Sequence, residues 1–279
     1  MNLPGASDLL VLARTALLDA LEALRDHRDA IVLKGAQAIY LHTGGADIAL
    51  AEATKDSDLA LDARRLADDP RIELAMGAAG FRDLAPGQLG TWLSPSGVPV
   101  DLMVPEALAG AAASQRRGAR IPPHASTAAR RVVGLEAAVV DHAPMRVAAL
   151  ARGDERSCMV EVAGPAALLV AKLHKLGERQ DSQRRLEDKD AHDVYRLFVA
   201  VPTDLLAEAT HRLLADPLAG DVTEQAIAYL RGMFAAGPEA LGSVMAGRAE
   251  AGVGEPDIVA ASVAALADDL LLALDLRSR

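Results

Sequence analysis

The spacing of hydrophobic residues changes near residue 160, and this change restricts the folds open to the chain. In the first part, short apolar runs alternate with turns that contain glycine and proline, a pattern typical of strands and short helices. From Pro165 to the end, apolar residues recur at helical spacing, with prolines between the segments. We therefore predict an α+β fold, with an α/β domain at 1–160 and an all-helical domain at 161–279.

The same patterns predict individual elements. The predicted helices are 6–27, 36–42 and 63–79, and the predicted strands are 31–33 and 56–62, a hairpin in 91–105 and further strands in 132–163. Residues 105–131 are small, basic and proline-containing, which indicates a loop or an irregular helix. Beyond Pro165, four or five helices are predicted.

Composition limits the compartment and the partners. The formal net charge of -10 gives no bulk support for nucleic-acid binding, which is usually accompanied by a basic surface. The single cysteine, Cys158, excludes an internal disulfide and is typical of a reducing compartment. The N-terminus lacks the pattern of a signal peptide, and no window of about 18 apolar residues is free of charge. We expect a soluble, cytoplasmic protein without a membrane partner.

Three aspartates lie in two predicted strands. Asp56 and Asp58 are two positions apart, so their side chains project from the same side of a strand. Asp101 alternates with Val100 and Leu102 and projects away from the apolar face of its own strand. If the two strands are neighbours, three carboxylates converge, and Mg²⁺ (or Mn²⁺) prefers such oxygen ligands together with substrate phosphates. An isolated Asp-x-Asp pair is also common on exposed strands and turns.

A glycine step precedes the aspartates. Lys34, Gly35 and Ala36 lie between a predicted strand and a predicted helix. Glycine lets backbone amides approach a phosphate, and the helix N-terminus that follows favours an anion. Lys34 would add a positive charge to a triphosphate at this point. The alternative is that Gly35 only makes a turn and that Lys34 is solvated.

Two charged helices are predicted in the second half. Lys172, Lys175 and Arg179 have the spacing i, i+3 and i+7, which places them on one face of a helix. Lys189 and Asp193 are four positions apart on the next helix. Such patterns are also typical of a solvated, salt-bridged helix pair, and for Lys175 and Arg179 both interpretations stay open.

The order of these motifs resembles the DNA polymerase β-like nucleotidyltransferase superfamily, and within it the AbiEii toxin family. The motifs, in chain order, are Leu33-Lys34-Gly35-Ala36-Gln37-Ala38, Thr54-Lys55-Asp56-Ser57-Asp58-Leu59, Val100-Asp101-Leu102, Leu169-Val170-Ala171-Lys172-Leu173 and Lys189-Asp190-Ala191-His192-Asp193-Val194-Tyr195-Arg196-Leu197. The resemblance extends over about residues 30–200. Two positions depart from the family pattern: Ala36 replaces the second glycine of a pair, and Glu52 and Ala53 stand where many relatives have an arginine shortly before the aspartates.

The resemblance implies a nucleotidyltransferase-fold mixed sheet and a metal-dependent transfer of a nucleoside monophosphate from a nucleoside triphosphate (NTP) to an acceptor hydroxyl. It implies that the three aspartates hold Mg²⁺ or Mn²⁺, with Asp101 on the side of the hydroxyl. Lys34 and Lys172 would neutralise the triphosphate, and Asp193 would orient Lys172 or a substrate hydroxyl. The further nucleotide-binding candidates are Gly35, Ala36, Thr54, Lys175, Arg179, Lys189 and Asp190.

The acceptor stays open. The resemblance implies the toxin of a toxin–antitoxin or abortive-infection pair, with a cognate antitoxin protein and with tRNA or another RNA as candidate acceptor. A stretch at 111–131 without acidic residues would follow an RNA backbone or only make a loop soluble; its arginines are Arg116, Arg117, Arg120, Arg130 and Arg131.

Two other functions also stay open. The first is a catalytically silent protein of this fold that binds a nucleotide or a partner, and the departures at Ala36 and before Asp56 motivate it. The second is a kinase-like transfer of the γ-phosphate to a protein. The residues do not show which phosphate moves.

Overall fold

A computed structural model describes residues 6–44, 56–84, 88–111, 118–180 and 187–277. The first part of the chain contributes a mixed sheet and the second part contributes helices, so the predicted α+β fold is confirmed. The chain divides into two compact units. Unit 1 comprises Met1–Ala38, Ala53–Leu135 and His142–Ala163, and unit 2 comprises Ile39–Glu52, Glu136–Asp141 and Gly164–Arg279.

Unit 1 is built around the sheet. Its described elements are helices α1 (Ala6–Ala23) and α3 (Ile72–Ala78) and strands β1 (Ile31–Lys34), β2 (Ser57–Leu61), β3 (Arg82–Asp83), β4 (Thr91–Leu93), β5 (Pro99–Pro105), β6 (Arg130–Val132), β7 (His142–Ala148) and β8 (Ser157–Ala163). Short 3₁₀ helices cover Arg25–Ala30 and Glu106–Leu108 in unit 1 and Ala137–Val139 in unit 2. Helix α2 (Gly35–Thr43) follows β1 directly.

The strand order is β3-β4-β5-β2-β1-β8-β7, and β6 also pairs with β5. Strand β2 is parallel to β5 and antiparallel to β1, while β4 is antiparallel to β5. Ser57 donates a hydrogen bond to the carbonyl oxygen of Ala13 at 3.0 Å, so α1 lies on the face of the sheet that carries Leu59 and Leu61. Both leucines are completely buried, and this apolar face fixes which way the residues between them point.

A buried network of polar side chains connects α1 with α2, β2 and β7. Arg14 donates through Nε to Oε1 of Gln37 at 2.7 Å and through Nη1 to the carbonyl oxygen of Ala148 at 2.8 Å. Gln37 donates through Nε2 to Oγ of Ser57 at 2.6 Å. These bonds hold the start of α2 beside the start of β2, because a buried polar group without its partner is costly.

Unit 2 is helical after residue 164. Its helices are α4 (Pro165–Gly177), α5 (Asp188–Ala200), α6 (Thr203–Ala215), α7 (Gly220–Leu230), α8 (Leu241–Ala249) and α9 (Pro256–Arg277), with a π-helical turn at Arg231–Ala235. Phe234 is fully buried against Gly242, where a Cβ atom would come within 2.6 Å of the phenyl ring. Small residues therefore allow the close packing at the centre of this unit. Within the described ranges, no helix has the length and apolar character needed to cross a membrane.

Several predicted boundaries were wrong in unit 1. The helix predicted at 63–79 begins only at Ile72, because Pro70 disfavours helical geometry at the residue before it and lacks an N–H donor. The N-terminal helix ends at Ala23 rather than at residue 27. The loop predicted to extend to residue 131 ends earlier, since β6 begins at Arg130 and pairs with β5.

The remaining differences concern the apolar run at 132–140 and the helical half. Further strands were predicted in 132–163, and β7 and β8 are present, but Ala137–Val139 forms a 3₁₀ helix instead of a strand. The described residues after Pro165 form six α-helices rather than four or five. Lys172 and Arg179 were predicted to share one face of a helix. This prediction was wrong, because helix α4 ends at Gly177 and Arg179 lies beyond it.

Candidate functional site

Four polar side chains lie in one row across the centre of the sheet in unit 1. The strand registers pair Thr91 of β4 with Asp101 of β5, and Asp101 with Asp58 of β2. Asp58 is in turn paired with Lys34 of β1. Directly paired residues present their side chains on the same face of a sheet. We call these four side chains, which include two adjacent carboxylates, the polar row.

The apolar residues of β2 and β5 determine this placement. The two strands are neighbours, which is the condition under which the carboxylates were expected to converge, and they pair in parallel. Leu59 and Leu102 are completely buried and alternate with the two aspartates along their strands. A shift of either strand by one residue would bury a carboxylate among these leucines, so burial of the apolar face keeps Asp58 and Asp101 together.

Asp101 is held by two donors. Thr91 donates from its hydroxyl to Oδ1 of Asp101 at 2.6 Å, and Arg130 donates from Nη2 to Oδ2 at 2.5 Å. Burial raises the pKa of Asp101, and the charge of Asp58 raises it further. The positive charges of Arg130 and Lys34 and the bond from Thr91 offset only part of this rise. The charged form of Asp101 is therefore disfavoured in the folded protein.

Asp58 lies against the first residue of α2. Gly35 has a φ of 73°, and a Cβ atom at this position would overlap the Asp58 carboxylate, so only glycine fits here. Lys34 places its Nζ atom 3.7 Å from Oδ1 of Asp58. The first turn of α2 begins at Gly35 and includes Ala36, and its amide groups have no intrahelical acceptor. Amide donors and an amino group thus lie beside the carboxylate pair.

Gly90 brings Arg130 to the polar row. This glycine has a φ of 75°, and its carbonyl oxygen accepts a hydrogen bond from the amide of Leu102 at 2.7 Å. A Cβ atom at residue 90 would lie 2.5 Å from the backbone nitrogen of Arg130. Strands β4 and β6 therefore both begin at neighbouring positions along the same edge of β5, which places the Arg130 side chain on Asp101.

Sequence reasoning missed three residues of this site. Thr91 was predicted only as part of a hairpin, although pairing around its turn would have placed it opposite Asp101. Gly90 was not noticed. Arg130 was considered only as one of five arginines of an RNA surface or a soluble loop, because the parallel pairing of β6 with β5 joins distant parts of the chain and leaves no local pattern.

Two of the predicted site residues precede β2. Asp56 lies one position before the strand, is half-buried, and its role as a third metal ligand stays a prediction. Thr54 lies outside the described residues.

The donor set of the polar row fits a divalent cation that arrives with phosphate groups. In the part of the chain that the structure describes, no three His, Cys, Asp or Glu side chains are grouped closely enough to hold a metal ion by themselves. Mg²⁺, however, is commonly bound by one or two carboxylates together with substrate phosphates and water. Asp58 and Asp101 supply two adjacent carboxylates whose mutual repulsion a cation would relieve.

Unit 2 contains a second group of charged side chains, which we call the lysine cluster: Lys172, Lys175, Asp190 and Asp193. Lys172 of α4 donates to Asp190 of α5 at 2.7 Å and lies 2.6 Å from Asp193. Lys175, whose side chain is one-third exposed, reaches Asp190 at 2.8 Å. The other three side chains are buried, so this cluster joins α4 to α5.

The lysine cluster stabilises its own charges. Burial alone would lower the pKa of Lys172, but the charges and hydrogen bonds of Asp190 and Asp193 outweigh it and the pKa is raised. Burial alone would raise the pKa of Asp190, but Lys172 and Lys175 hold it well below its usual range. Each buried charge is thus matched by the opposite charge.

The predicted roles in unit 2 can be compared with these contacts. Asp193 contacts Lys172, which is the geometry required for the predicted orientation of this lysine. The contact of Lys172 with a triphosphate stays a prediction. Lys189 lies 3.5 Å from Glu187, and Arg179 follows the end of α4.

Three of the arginines for which an RNA surface or a soluble loop was considered lie in the part of the chain that the structure describes. Arg130 contacts Asp101, and Arg131 contacts Glu106 at 3.1 Å and the carbonyl oxygen of Gly110 at 2.8 Å. Arg120 is exposed. Arg116 and Arg117 lie outside the described residues.

Comparison with known proteins assigns neither cluster. No protein-family model, no curated protein and no solved structure gives a significant match to this chain. The function must therefore be inferred from the residues of the polar row and the lysine cluster themselves.

Proposed function

We propose that unit 1 binds an NTP with Mg²⁺ and transfers its nucleoside monophosphate to an acceptor hydroxyl. The observation that carries this proposal is the polar row, in which Asp58 and Asp101 are paired on neighbouring strands beside Lys34. Adjacent carboxylates next to an amino group and a helix N-terminus are the parts that a metal–triphosphate site needs. The resemblance of the motifs to the AbiEii family supports the same activity.

The residues around Gly35 would bind the triphosphate. The amides of the first turn of α2 donate to phosphate oxygens, and the absence of a Cβ atom at Gly35 lets a phosphate and the Asp58 carboxylate lie close to the backbone. Lys34 adds a positive charge to the same side of the row. Asp58 and Asp101 would hold Mg²⁺, which would supply charge neutralisation of the phosphates.

Asp101 would act on the acceptor. In the proposed reaction, the acceptor oxygen forms a bond to the α-phosphorus, the bond between the α-phosphorus and the bridging oxygen breaks, and pyrophosphate leaves. The proton of the hydroxyl passes to Asp101, because burial and the charge of Asp58 raise the pKa of this carboxyl and make it a better base. Asp58 holds the nucleotide side.

The biological role that we propose comes from the resemblance alone. It makes the protein the toxin of a toxin–antitoxin or abortive-infection pair, with RNA, tRNA included, as the acceptor to test first. Two of the five candidate arginines, Arg130 and Arg131, are engaged by acidic partners within unit 1. The acceptor is therefore best identified by experiment.

A second candidate is nucleotide binding without transfer. The specific observation in its favour is that both oxygens of Asp101 already accept hydrogen bonds, from Thr91 and from Arg130. If these bonds persist when a nucleotide is bound, they stabilise the charged form of Asp101 and oppose transfer of a proton to it from an acceptor. The kinase-like transfer of a γ-phosphate has no observation of its own in its favour.

The test is incubation of the purified protein with total RNA, Mg²⁺ and each of the four NTPs labelled at the α-phosphate. We expect label to become attached to RNA, and we expect Asp58→Asn and Asp101→Asn to abolish the attachment. Asp154→Asn is the matched control, since Asp154 is an ion-paired carboxylate of unit 1 far in sequence from the polar row, and it should label RNA as the wild type does.

Two outcomes would decide between the candidates. Undiminished labelling by both the Asp58 and the Asp101 variants would contradict the proposed site. Tight NTP binding in calorimetry without transfer to RNA, to protein or to water would favour the silent binder. Transfer of label from the γ-position to protein would instead identify the kinase-like reaction.

A further inference from the structure

Arg130 contacts one of the two carboxylates that would hold the proposed metal ion. It donates to Oδ2 of Asp101 at 2.5 Å, and its side chain is one-third exposed. Asp101 accepts its other hydrogen bond from Thr91 on Oδ1, so neither oxygen is without a donor. A divalent cation shared by Asp58 and Asp101 needs oxygen lone pairs and brings two positive charges close to the guanidinium. Arg130 and the cation therefore compete for the same carboxylate.

The guanidinium of Arg130 has donor capacity that Asp101 does not use. Its Nε atom is buried and has no hydrogen-bond partner among the described residues. An arginine presents five N–H donors in a planar fork that matches the oxygens of a phosphate. If Arg130 leaves Asp101, phosphate oxygens would satisfy both the released donors and the Nε donor.

We propose, on the basis of the function proposed above, that Arg130 couples metal binding to triphosphate binding. Without a nucleotide, Arg130 is the counter-ion of Asp101 and weakens binding of a free divalent cation. With a metal–triphosphate, Arg130 transfers its hydrogen bonds from Asp101 to the phosphates and strengthens binding. Binding of the metal and binding of the triphosphate therefore strengthen each other, because each ligand removes part of the free-energy cost that the other would meet alone.

The backbone around Arg130 supports such an exchange. Gly90 fixes the backbone nitrogen of Arg130 against β5, so the strand itself stays in place. The ion pair with Asp101 joins β6 to β5 through one side chain only, and the ladder between Met103 and Arg130 is independent of it. The side chain is thus free to change partner without a change in the sheet.

The test compares two titrations in each protein. The first measures the Kd of Mn²⁺ alone by calorimetry and by electron paramagnetic resonance. The second measures the Kd of Mn²⁺ with inorganic tripolyphosphate, which carries the phosphate charges without requiring knowledge of the preferred base. Arg130→Gln should bind Mn²⁺ alone about fivefold more tightly and Mn²⁺ with tripolyphosphate about tenfold more weakly than the wild type.

Arg131→Gln is the matched control. Arg131 is the next residue of β6 and also pairs with a carboxylate, that of Glu106, so loss of this ion pair perturbs the same strand. Both Kd values should stay within about twofold of the wild type in this variant. Arg130→Lys keeps the charge without the fork and should recover the weak binding of Mn²⁺ alone but not the full binding of tripolyphosphate.

The results separate this inference from the proposed function. If Arg130→Gln weakens Mn²⁺ alone, or weakens both ligands equally, Arg130 only supports the strand and the inference is wrong. In that case the proposed function survives, provided that Asp58→Asn abolishes Mn²⁺ binding. If the wild type binds neither Mn²⁺ nor Mn²⁺ with tripolyphosphate, the proposed function fails and this inference fails with it.

Discussion

The polar row in unit 1 and the lysine cluster in unit 2 hold their charges in opposite ways. In the lysine cluster, Lys172 lies between Asp190 and Asp193, and each charge faces the opposite sign. In the polar row, Asp58 and Asp101 are paired directly across β2 and β5. Burial and the neighbouring Asp58 raise the pKa of Asp101, and this disfavours the charged form of the carboxyl. The pKa of Lys172 is also raised, in spite of burial, but for an amine the raised pKa favours the charged form.

This difference indicates that the two clusters have different roles. The lysine cluster is neutralised by its own residues and contributes to joining α4 to α5, so little of its charge is left for a ligand. The polar row keeps two like charges together, and Arg130 and Lys34 offset only part of the resulting rise in the pKa of Asp101. Arrangements that lower stability and shift a pKa are typical of functional sites. The comparison predicts that substitutions in the two clusters change stability in opposite directions.

Replacing Lys172 by Met should have the largest effect. Asp190 and Asp193 would stay buried without the charge of Lys172, and Lys175 contacts Asp190, so we expect the free energy of unfolding to fall by about 3–5 kcal/mol. Urea unfolding followed by far-ultraviolet circular dichroism measures this loss, since helices α4 to α9 lie in unit 2.

Arg212→Ala is the control for that measurement. It removes an exposed ion pair with Glu208 on one helix of the same unit, which should cost less than about 0.5 kcal/mol. Similar losses in the two variants would mean that the lysine cluster is no more than a surface ion pair, and the contrast with the polar row would disappear.

Gly35→Ala should have the second largest effect. The positive φ and the overlap of the new Cβ atom with the Asp58 carboxylate together should lower the free energy of unfolding by about 2–3 kcal/mol. Gly97→Ala is the control, because Gly97 has a φ of 79° but nothing within 4 Å of a new Cβ atom. It should cost only the backbone strain, about 1–2 kcal/mol.

The only tryptophan of the chain, Trp92, reports on this pair of variants. It is buried in β4, next to Thr91 of the polar row, so its fluorescence follows the unfolding of unit 1. Equal losses in Gly35→Ala and Gly97→Ala would show that Asp58 moves away easily and that the close approach to α2 is not needed.

The sequence predicted the parts of the fold that depend on local periodicity. Strands β1, β2 and β5 and the helical second half follow from alternation and from helical spacing. Alternation also predicts that Asp58 and Asp101 project away from the apolar faces of their strands, but only the pairing of β2 with β5 brings the two carboxylates together. Gly35 could be anticipated as well, because a glycine between a strand and a helix is a local signal.

The rest depends on contacts that the sequence does not show. Arg130 reaches Asp101 only because β6 pairs with β5 after a long excursion of the chain, and Gly90 permits that pairing. In the sequence alone, Arg130 is one of several arginines in the basic stretch at 111–131. In unit 2, helical spacing grouped Arg179 with Lys172, but α4 ends at Gly177, before Arg179. Long-range strand pairing and the ends of helices were thus the features that could not be predicted from the sequence.

Asp58→Asn should have a smaller effect than the glycine variant and the opposite sign. It removes a like charge beside Asp101 and replaces a charged contact with Lys34 at 3.7 Å by a neutral one. Without metal, the free energy of unfolding measured by Trp92 fluorescence should stay the same or rise by up to about 1 kcal/mol. A fall of more than about 1 kcal/mol would mean that Asp58 stabilises unit 1 and would break the comparison.

Acidification should produce the smallest effect and should separate the two clusters by sign. The pKa of Asp101 in the folded protein is raised above the value of about 3.9 in an unfolded chain, so the folded state binds this proton more tightly. Unit 1 therefore gains stability from Asp101 as the pH falls through the raised pKa toward about 3.9. The pKa of Asp190 is lowered, so its contribution is complete above about 3.9 and is lost as the pH falls further.

The measurement is the free energy of unfolding in EDTA between neutral pH and about pH 3, compared between the wild type and each of two variants, Asp101→Asn and Asp190→Asn. Relative to Asp101→Asn, the wild type should gain stability on acidification, because only the wild type can take up the proton. Relative to Asp190→Asn, its advantage should stay constant down to about pH 4 and then shrink. If both differences moved in the same direction, the two clusters would hold their charges in the same way, and the contrast between the polar row and the lysine cluster would disappear.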